Sequence, residues 1–141
     1  MLPTRNVLMP AGLGALLTTV VLFAGAPAAT AEPETSSPFA TDALGFVDSK
    51  ARCDETQNAA VFARTQRSLV VICADPDGGY EYRGVRVSDG AALQATAERT
   101  DAGFEASTDG AVYTVSPTEL VVTSAGKIIY RDTWIDYLQA R

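Results

Sequence analysis

The sequence predicts an all-β domain, an antiparallel meander forming a small sandwich or a partly open barrel, with a flexible segment ahead of it. Three observations carry this expectation. From about Asn58 onwards, short runs rich in Val, Ile, Tyr, Phe and Thr recur every eight residues or so. The connections between the runs hold Gly, Pro and Asp and are too short for parallel crossovers, so neighbouring strands must pair as hairpins. Two cysteines, Cys53 and Cys73, lie at the start of this region, where a covalent staple suits a small core.

Residues 1–31 carry the parts of a secretory signal in order: Arg5 as the charged start, an apolar stretch over 7–24, and Ala29-Thr30-Ala31 as a small-x-small cleavage site. An uncleaved anchor is the alternative, but Pro10, Gly12 and Gly14 weaken a spanning helix. A lipoprotein anchor needs a cysteine directly after the apolar run, and Cys53 lies far downstream. The expected location is therefore secreted or cell envelope, extracytoplasmic, with no stable membrane span after cleavage. Residues 32–49 begin Glu32-Pro33-Glu34-Thr35-Ser36-Ser37-Pro38 and hold few large apolar side chains, so they read as a flexible linker. Residues 50–141 then form a single disulfide-stapled β domain.

Export places the two cysteines in an oxidising compartment, where pairing of Cys53 with Cys73 is the default. Closing a loop of about 20 residues is worth roughly 3 kcal/mol in the chain-entropy description. The alternative, a redox or metal pair, lacks both C-x-x-C spacing and any histidine.

Strands are expected at 59–65, 68–74, 80–87, 91–99, 103–107, 111–116, 120–124 and 127–132. Between them stand turn formers such as Asp75-Pro76-Asp77-Gly78-Gly79, Thr108-Asp109-Gly110 and Ala125-Gly126. Leu69-Val70-Val71-Ile72 is apolar on both faces, which suits a strand covered on both sides by the curl of the sheet or by the disulfide-linked segment. In 80–87 the apolar positions are even before Gly84 and odd after it, and a β-bulge at Gly84 would account for the switch. Residues 91–99 stay open between strand and helix, since Ala, Leu, Gln and Glu favour helix and Asp89 offers an N-cap.

Several of these stretches carry a likeness. Arg67-Ser68-Leu69-Val70-Val71-Ile72-Cys73, Gly79-Tyr80-Glu81-Tyr82-Arg83-Gly84-Val85-Arg86, Ser88-Asp89-Gly90-Ala91 and Tyr113-Thr114-Val115-Ser116-Pro117-Thr118-Glu119-Leu120 resemble small exported proteins of actinobacteria, a group with no assigned function. The resemblance implies a cell-envelope or secreted context. It carries over no catalytic or binding residue.

The inventory of reactive groups narrows the function. With 11 Lys and Arg against 17 Asp and Glu the net charge is −6, so nucleic acid is not an expected partner. There is no histidine, which rules out Ser-His-Asp and Cys-His catalysis. Lys50 and Lys127, the candidates for Ser-Lys chemistry, stand beside the linker and at a hairpin turn, where burial that lowers a lysine pKa is hard to arrange. Glu81, Asp89, Glu98, Asp101, Glu105, Asp109 and Glu119 leave a carboxylate-based hydrolase acting on an envelope component as the alternative function. Asp75-Pro76-Asp77-Gly78-Gly79 opens like a calcium loop, yet Tyr80 stands where its glycine belongs and Arg86 where its glutamate belongs, so no metal or cofactor is expected.

The residues best suited to recognition are Tyr80, Tyr82, Arg83, Arg86 and Trp134, with Tyr113, Tyr130 and Tyr137 as further aromatics. Tyr and Trp join an apolar body to a polar tip, which serves sugars, peptides and partner surfaces, and serves a small core equally well. The expected function is an exported non-catalytic binding or structural module, its partner an envelope protein or glycan met by a sheet face or edge strand.

Overall fold

The computed structural model describes residues 39–140. The expected signal and the first part of the expected linker lie outside them. Among the described residues there are eleven strands and no helix. A hairpin of β1 (Thr41–Asp42) and β2 (Gly45–Phe46) comes first, followed by β3 (Asn58–Arg64), β4 (Ser68–Ala74), β5 (Tyr80–Arg86), β6 (Ala92–Thr100), β7 (Gly103–Thr108), β8 (Ala111–Val115), β9 (Glu119–Ser124), β10 (Lys127–Thr133) and β11 (Asp136–Gln139). From β3 to β10 each strand pairs antiparallel with the next, as short turns require. Asp109 and Gly110, at φ 50° and 76°, give the two-residue turn between β7 and β8 the twist that matches its strands.

One further pairing bends this meander round. β11 pairs antiparallel with β3, so the sheet runs β10-β9-β8-β7-β6-β5-β4-β3-β11. Its two edges, β10 and β11, are consecutive in the chain and joined only through Trp134 and Ile135. A sheet whose edges are tied by two residues has to curl until they meet, and of the two forms expected the chain adopts the partly open barrel. At the seam, the Ile135 amide donates to the Arg64 carbonyl (2.7 Å) and the Trp134 amide to the Thr118 carbonyl (3.2 Å). The Trp134 ring N–H donates to the Ser116 carbonyl (2.7 Å).

Period-two alternation sorts the side chains into two cores. The inner one takes Val61, Ala63, Val70, Ile72, Tyr82, Ala95, Ala97, Phe104, Ala106, Val115, Leu120 and Val122. The outer one packs Leu69, Val71, Cys73 and Val85 beneath Phe46, Ala51 and Cys53. Leu69 to Ile72 is thus apolar on both faces because the barrel interior covers one and the arm formed by 39–57 covers the other. Cys53 and Cys73 form the expected disulfide, with Cα atoms 5.5 Å apart.

Two expectations are corrected, and the choice left open over 91–99 is settled as strand. There is no bulge at Gly84: pairing runs unbroken from Ser68↔Arg86 to Ala74↔Tyr80 and from Tyr80↔Ala97 to Val85↔Ala92. The apolar phase switches because Tyr82 belongs to the inner core and Val85 to the outer one; the register shifts fall at Ala59/Val61 and Ile128/Tyr130. Residues 92–100 form strand and not helix, since pairing on both sides and inward burial of Ala95 and Ala97 outweigh local propensity. The last part of the expected linker is ordered packing: Phe46 is 4% exposed, and the Val47 amide donates to the Ala40 carbonyl (2.8 Å).

Candidate binding site

The barrel interior is not filled evenly. Gly84 contributes no side chain to the inner face, and Tyr82, two residues earlier on that face, folds its ring across the space. A cavity of about 250 Å³ remains beside it. Tyr82 and Gly84 form one wall, Tyr113, Leu120 and Val122 the opposite one, and Ser68, Arg86, Leu93, Ile129 and Tyr130 the rim.

Three tyrosines give this cavity its polarity. Tyr82 is 3% exposed, and its ring lies 5.2 Å from that of Tyr113 at a tilt of 40°. Tyr130 spends its hydroxyl on the Asp132 carboxylate (3.0 Å), beside the Ser68 hydroxyl at 3.4 Å, with the Arg67 guanidinium 4.7 Å over its ring. The phenol oxygens of Tyr82 and Tyr113 have no hydrogen-bond partner among the described residues. Burial pushes the Tyr82 phenol well above its ordinary pKa, and the neighbouring Tyr113 and Tyr130 add to the shift. Tyr82 is therefore a neutral donor at any physiological pH.

Charges at the rim come in matched pairs. Arg86 meets Asp89 at 3.0 Å and Arg67 meets Asp132 at 3.1 Å. The Asp89 carboxyl is held below its ordinary value, first by the Ala91 amide and then by Arg86. Burial pushes Asp132 upward, but hydrogen bonds from Arg67, Tyr130 and Thr65 outweigh it, and its pKa lies low.

Of the five residues singled out from sequence, the fold brings Tyr82 and Arg86 to the cavity and separates the others. Tyr80 packs edge-on against Phe104 (5.0 Å), under the Arg99 guanidinium at 5.3 Å. Trp134 lies at the seam. Arg83 points to the outer face, where its guanidinium holds Asp54 through two bonds (3.1 and 2.7 Å), the Arg52 carbonyl (2.6 Å) and Glu81 (2.5 Å). With its side chain 12% exposed, Arg83 is spent on pinning the disulfide arm to β5. Ser68, Leu93 and Ile129 were not legible as site residues, because their convergence depends on how the curled strands are staggered. The acidic turn at Asp75 to Gly79 closes on itself through the Gly78 amide and the Asp75 carbonyl (3.0 Å).

Comparison of the chain with protein-family models, curated proteins and solved structures gives no match.

Proposed function

We propose that this chain is an exported, non-catalytic binding module and that the barrel cavity is its binding element. The Tyr82 phenol carries the proposal: it is 3% exposed, has no partner among the described residues, and borders an apolar cavity. Among the described residues the buried side-chain polar atom left without a partner is Thr100 Oγ1, so the Tyr82 hydroxyl opens onto the pocket, and an apolar pocket with a few polar groups turned towards it is the usual form of a small-molecule site. Small antiparallel barrels with eight or so strands have interiors wide enough for one small ligand. The Cys53–Cys73 disulfide is compatible with an extracytoplasmic location, and the signal-like residues 1–31 and the likeness to exported actinobacterial proteins support export.

Tyr80, Tyr82, Tyr113, Tyr130, Trp134 and Tyr137 all pack on the inner core, which favours a small molecule in the barrel over a glycan or envelope protein on an outer sheet face. The acidic groups nearest the cavity, Asp89 and Asp132, are each paired with arginine and held ionised. That does not suit the general acid a glycan hydrolase needs.

The test is to purify the oxidised protein from the medium of an exporting host, denature it, and analyse the extract for small molecules by mass spectrometry. A single compound released in proportion to protein, and absent from a cavity-filled Val122→Phe variant, is expected. Protein that emerges without a bound compound, and whose melting temperature no small-molecule fraction of the host raises, would overturn the proposal.

A further inference from the structure

We infer that the cavity takes an uncharged, largely apolar molecule about the size of a substituted benzene ring, carrying one hydrogen-bond acceptor oxygen for the Tyr82 and Tyr113 phenols that border it. This rests on the cavity being the binding element, and it adds the chemistry of the ligand. Size, charge and polarity each contribute.

At about 250 Å³ the cavity corresponds to roughly eight waters at their liquid volume of about 30 Å³ each, or a ligand of about ten non-hydrogen atoms. The nearest cations, Arg86 and Arg67, are each matched by a carboxylate, Asp89 and Asp132. An anionic ligand would have to compete with a carboxylate for its arginine, and a cationic one would meet no unmatched acid, so an uncharged ligand fits these surroundings best. Leu120, Val122 and the rings of Tyr82 and Tyr113, with Leu93 at the rim, are apolar surfaces for the body of the ligand.

Polarity then fixes the functional group. Tyr130 donates its proton to Asp132, whereas Tyr82 and Tyr113 border the cavity with hydroxyls that no described residue occupies. Because burial keeps Tyr82 protonated, it offers a proton, and an acceptor oxygen such as a carbonyl is its complement. A pocket bordered by phenol donors favours a ligand that brings an acceptor oxygen over an analogue that lacks it, since the analogue displaces water from a hydroxyl without replacing its hydrogen bond.

Three probes of one planar shape separate these demands: acetophenone (carbonyl), α-methylstyrene (the same skeleton with a methylene in place of the oxygen) and benzoate (the anion). Each is titrated into the oxidised mature protein, following the Leu120 and Val122 methyl resonances. Acetophenone is expected to bind about tenfold or more tightly than α-methylstyrene, with benzoate weakest. Tyr82→Phe, nearly the same shape, is expected to bring acetophenone to within about twofold of α-methylstyrene while leaving α-methylstyrene binding unchanged; Tyr113→Phe gives an independent check should the first variant fold poorly. Equal binding of acetophenone and α-methylstyrene, a preference for benzoate, or an undiminished ratio in both variants would overturn the ligand class while the cavity remains a binding element. Resonances unmoved by all three probes would overturn the cavity reading along with it.

Discussion

The Tyr82 ring lies across Gly84 so closely that a Cβ at residue 84 would fall 2.6 Å from the Tyr82 phenol oxygen. The two residues share the inner face of β5, and the aromatic side chain covers the bare glycine backbone. Glycine elsewhere in a strand is a weak choice; here its missing side chain leaves the room the phenol needs. Gly84→Ala is therefore expected to push the ring off its position and to cost about 1–3 kcal/mol. In a Tyr82→Ala background the same change should cost almost nothing. A double-mutant cycle by urea denaturation measures the coupling, expected at about 1 kcal/mol or more. Additive effects would mean that the ring is not held by the glycine.

The disulfide ties the arm to the barrel, and its removal should be felt mainly there. Cys53 and Cys73 are 20 residues apart, a loop whose closure is worth about 3 kcal/mol. The arm is held besides by Phe46 and Ala51 in the outer core and by the Arg83–Asp54 pair. Replacing both cysteines with alanine is expected to lower stability by about that amount. Arm amides such as Phe46 and Cys53, which donate to Ala51 and Leu44 carbonyls (3.0 and 2.6 Å), should exchange fastest. Hydrogen exchange read residue by residue checks this; an equal loss of protection over β7 to β9 would show that the arm and the barrel unfold as one unit.

These contrasts also mark what the sequence reveals. The strands from β3 to β10 were legible because Gly and Pro punctuate a chain of β-branched and aromatic residues, a local signal. β11 was not, since Asp136-Tyr137-Leu138-Gln139 is mostly exposed and owes its form to pairing with β3, some 75 residues earlier. The β1–β2 hairpin leaves no pattern for a similar reason: its strands are two residues each, and little more than Phe46, with Leu44 half-buried beside it, anchors it in the core. At the site, Tyr82 and Arg86 were identifiable as amphipathic residues on one strand. That Tyr113 and Tyr130 face them across a cavity follows from the curl of the sheet, which no local pattern encodes.

The charge map makes stability flat over a wide pH range. Asp42, hydrogen-bonded by Arg52, and Asp54, hydrogen-bonded by Arg83, lie below the ordinary carboxylate range, as do Asp89 and Asp132. A carboxyl whose folded pKa is depressed contributes stability that is present above its unfolded value of about 4 and lost as pH falls through the folded value. Tyr82 works in the opposite sense: burial raises its pKa, so its contribution is complete below the unfolded value of about 10 and is lost as pH rises beyond it. With no histidine in the chain, little titrates between. The melting temperature is expected to hold level from about pH 5 to 9, to fall below about pH 4, and to fall again above about pH 10. Tyr82→Phe should soften the alkaline fall alone. Thermal melts across this range check both limbs, and a step near pH 6 would contradict the assignment.

Closure of the barrel depends on Trp134, the one tryptophan in the chain. Its backbone amide reaches Thr118, its ring N–H reaches Ser116, and the next amide, Ile135, reaches Arg64. Three bonds over two residues thus join the turn between β8 and β9 to the end of β3. Beyond them β11 adds only four residues, with Tyr137 alone half-buried and the other three exposed, so its attachment draws little from burial and much from these bonds. Trp134→Phe keeps an aromatic ring near Tyr137 but leaves the Ser116 carbonyl without its donor, at an expected cost of about 1 kcal/mol. The loss should concentrate on exchange of the Ile135, Leu138 and Ala140 amides, while Val70 and Ile72 in the inner core stay protected. Tryptophan fluorescence of the unmodified protein should then change at lower urea than the far-ultraviolet strand signal, because the seam opens before the meander unfolds. Coincident transitions would mean instead that β11 is as firmly built in as the eight strands it closes.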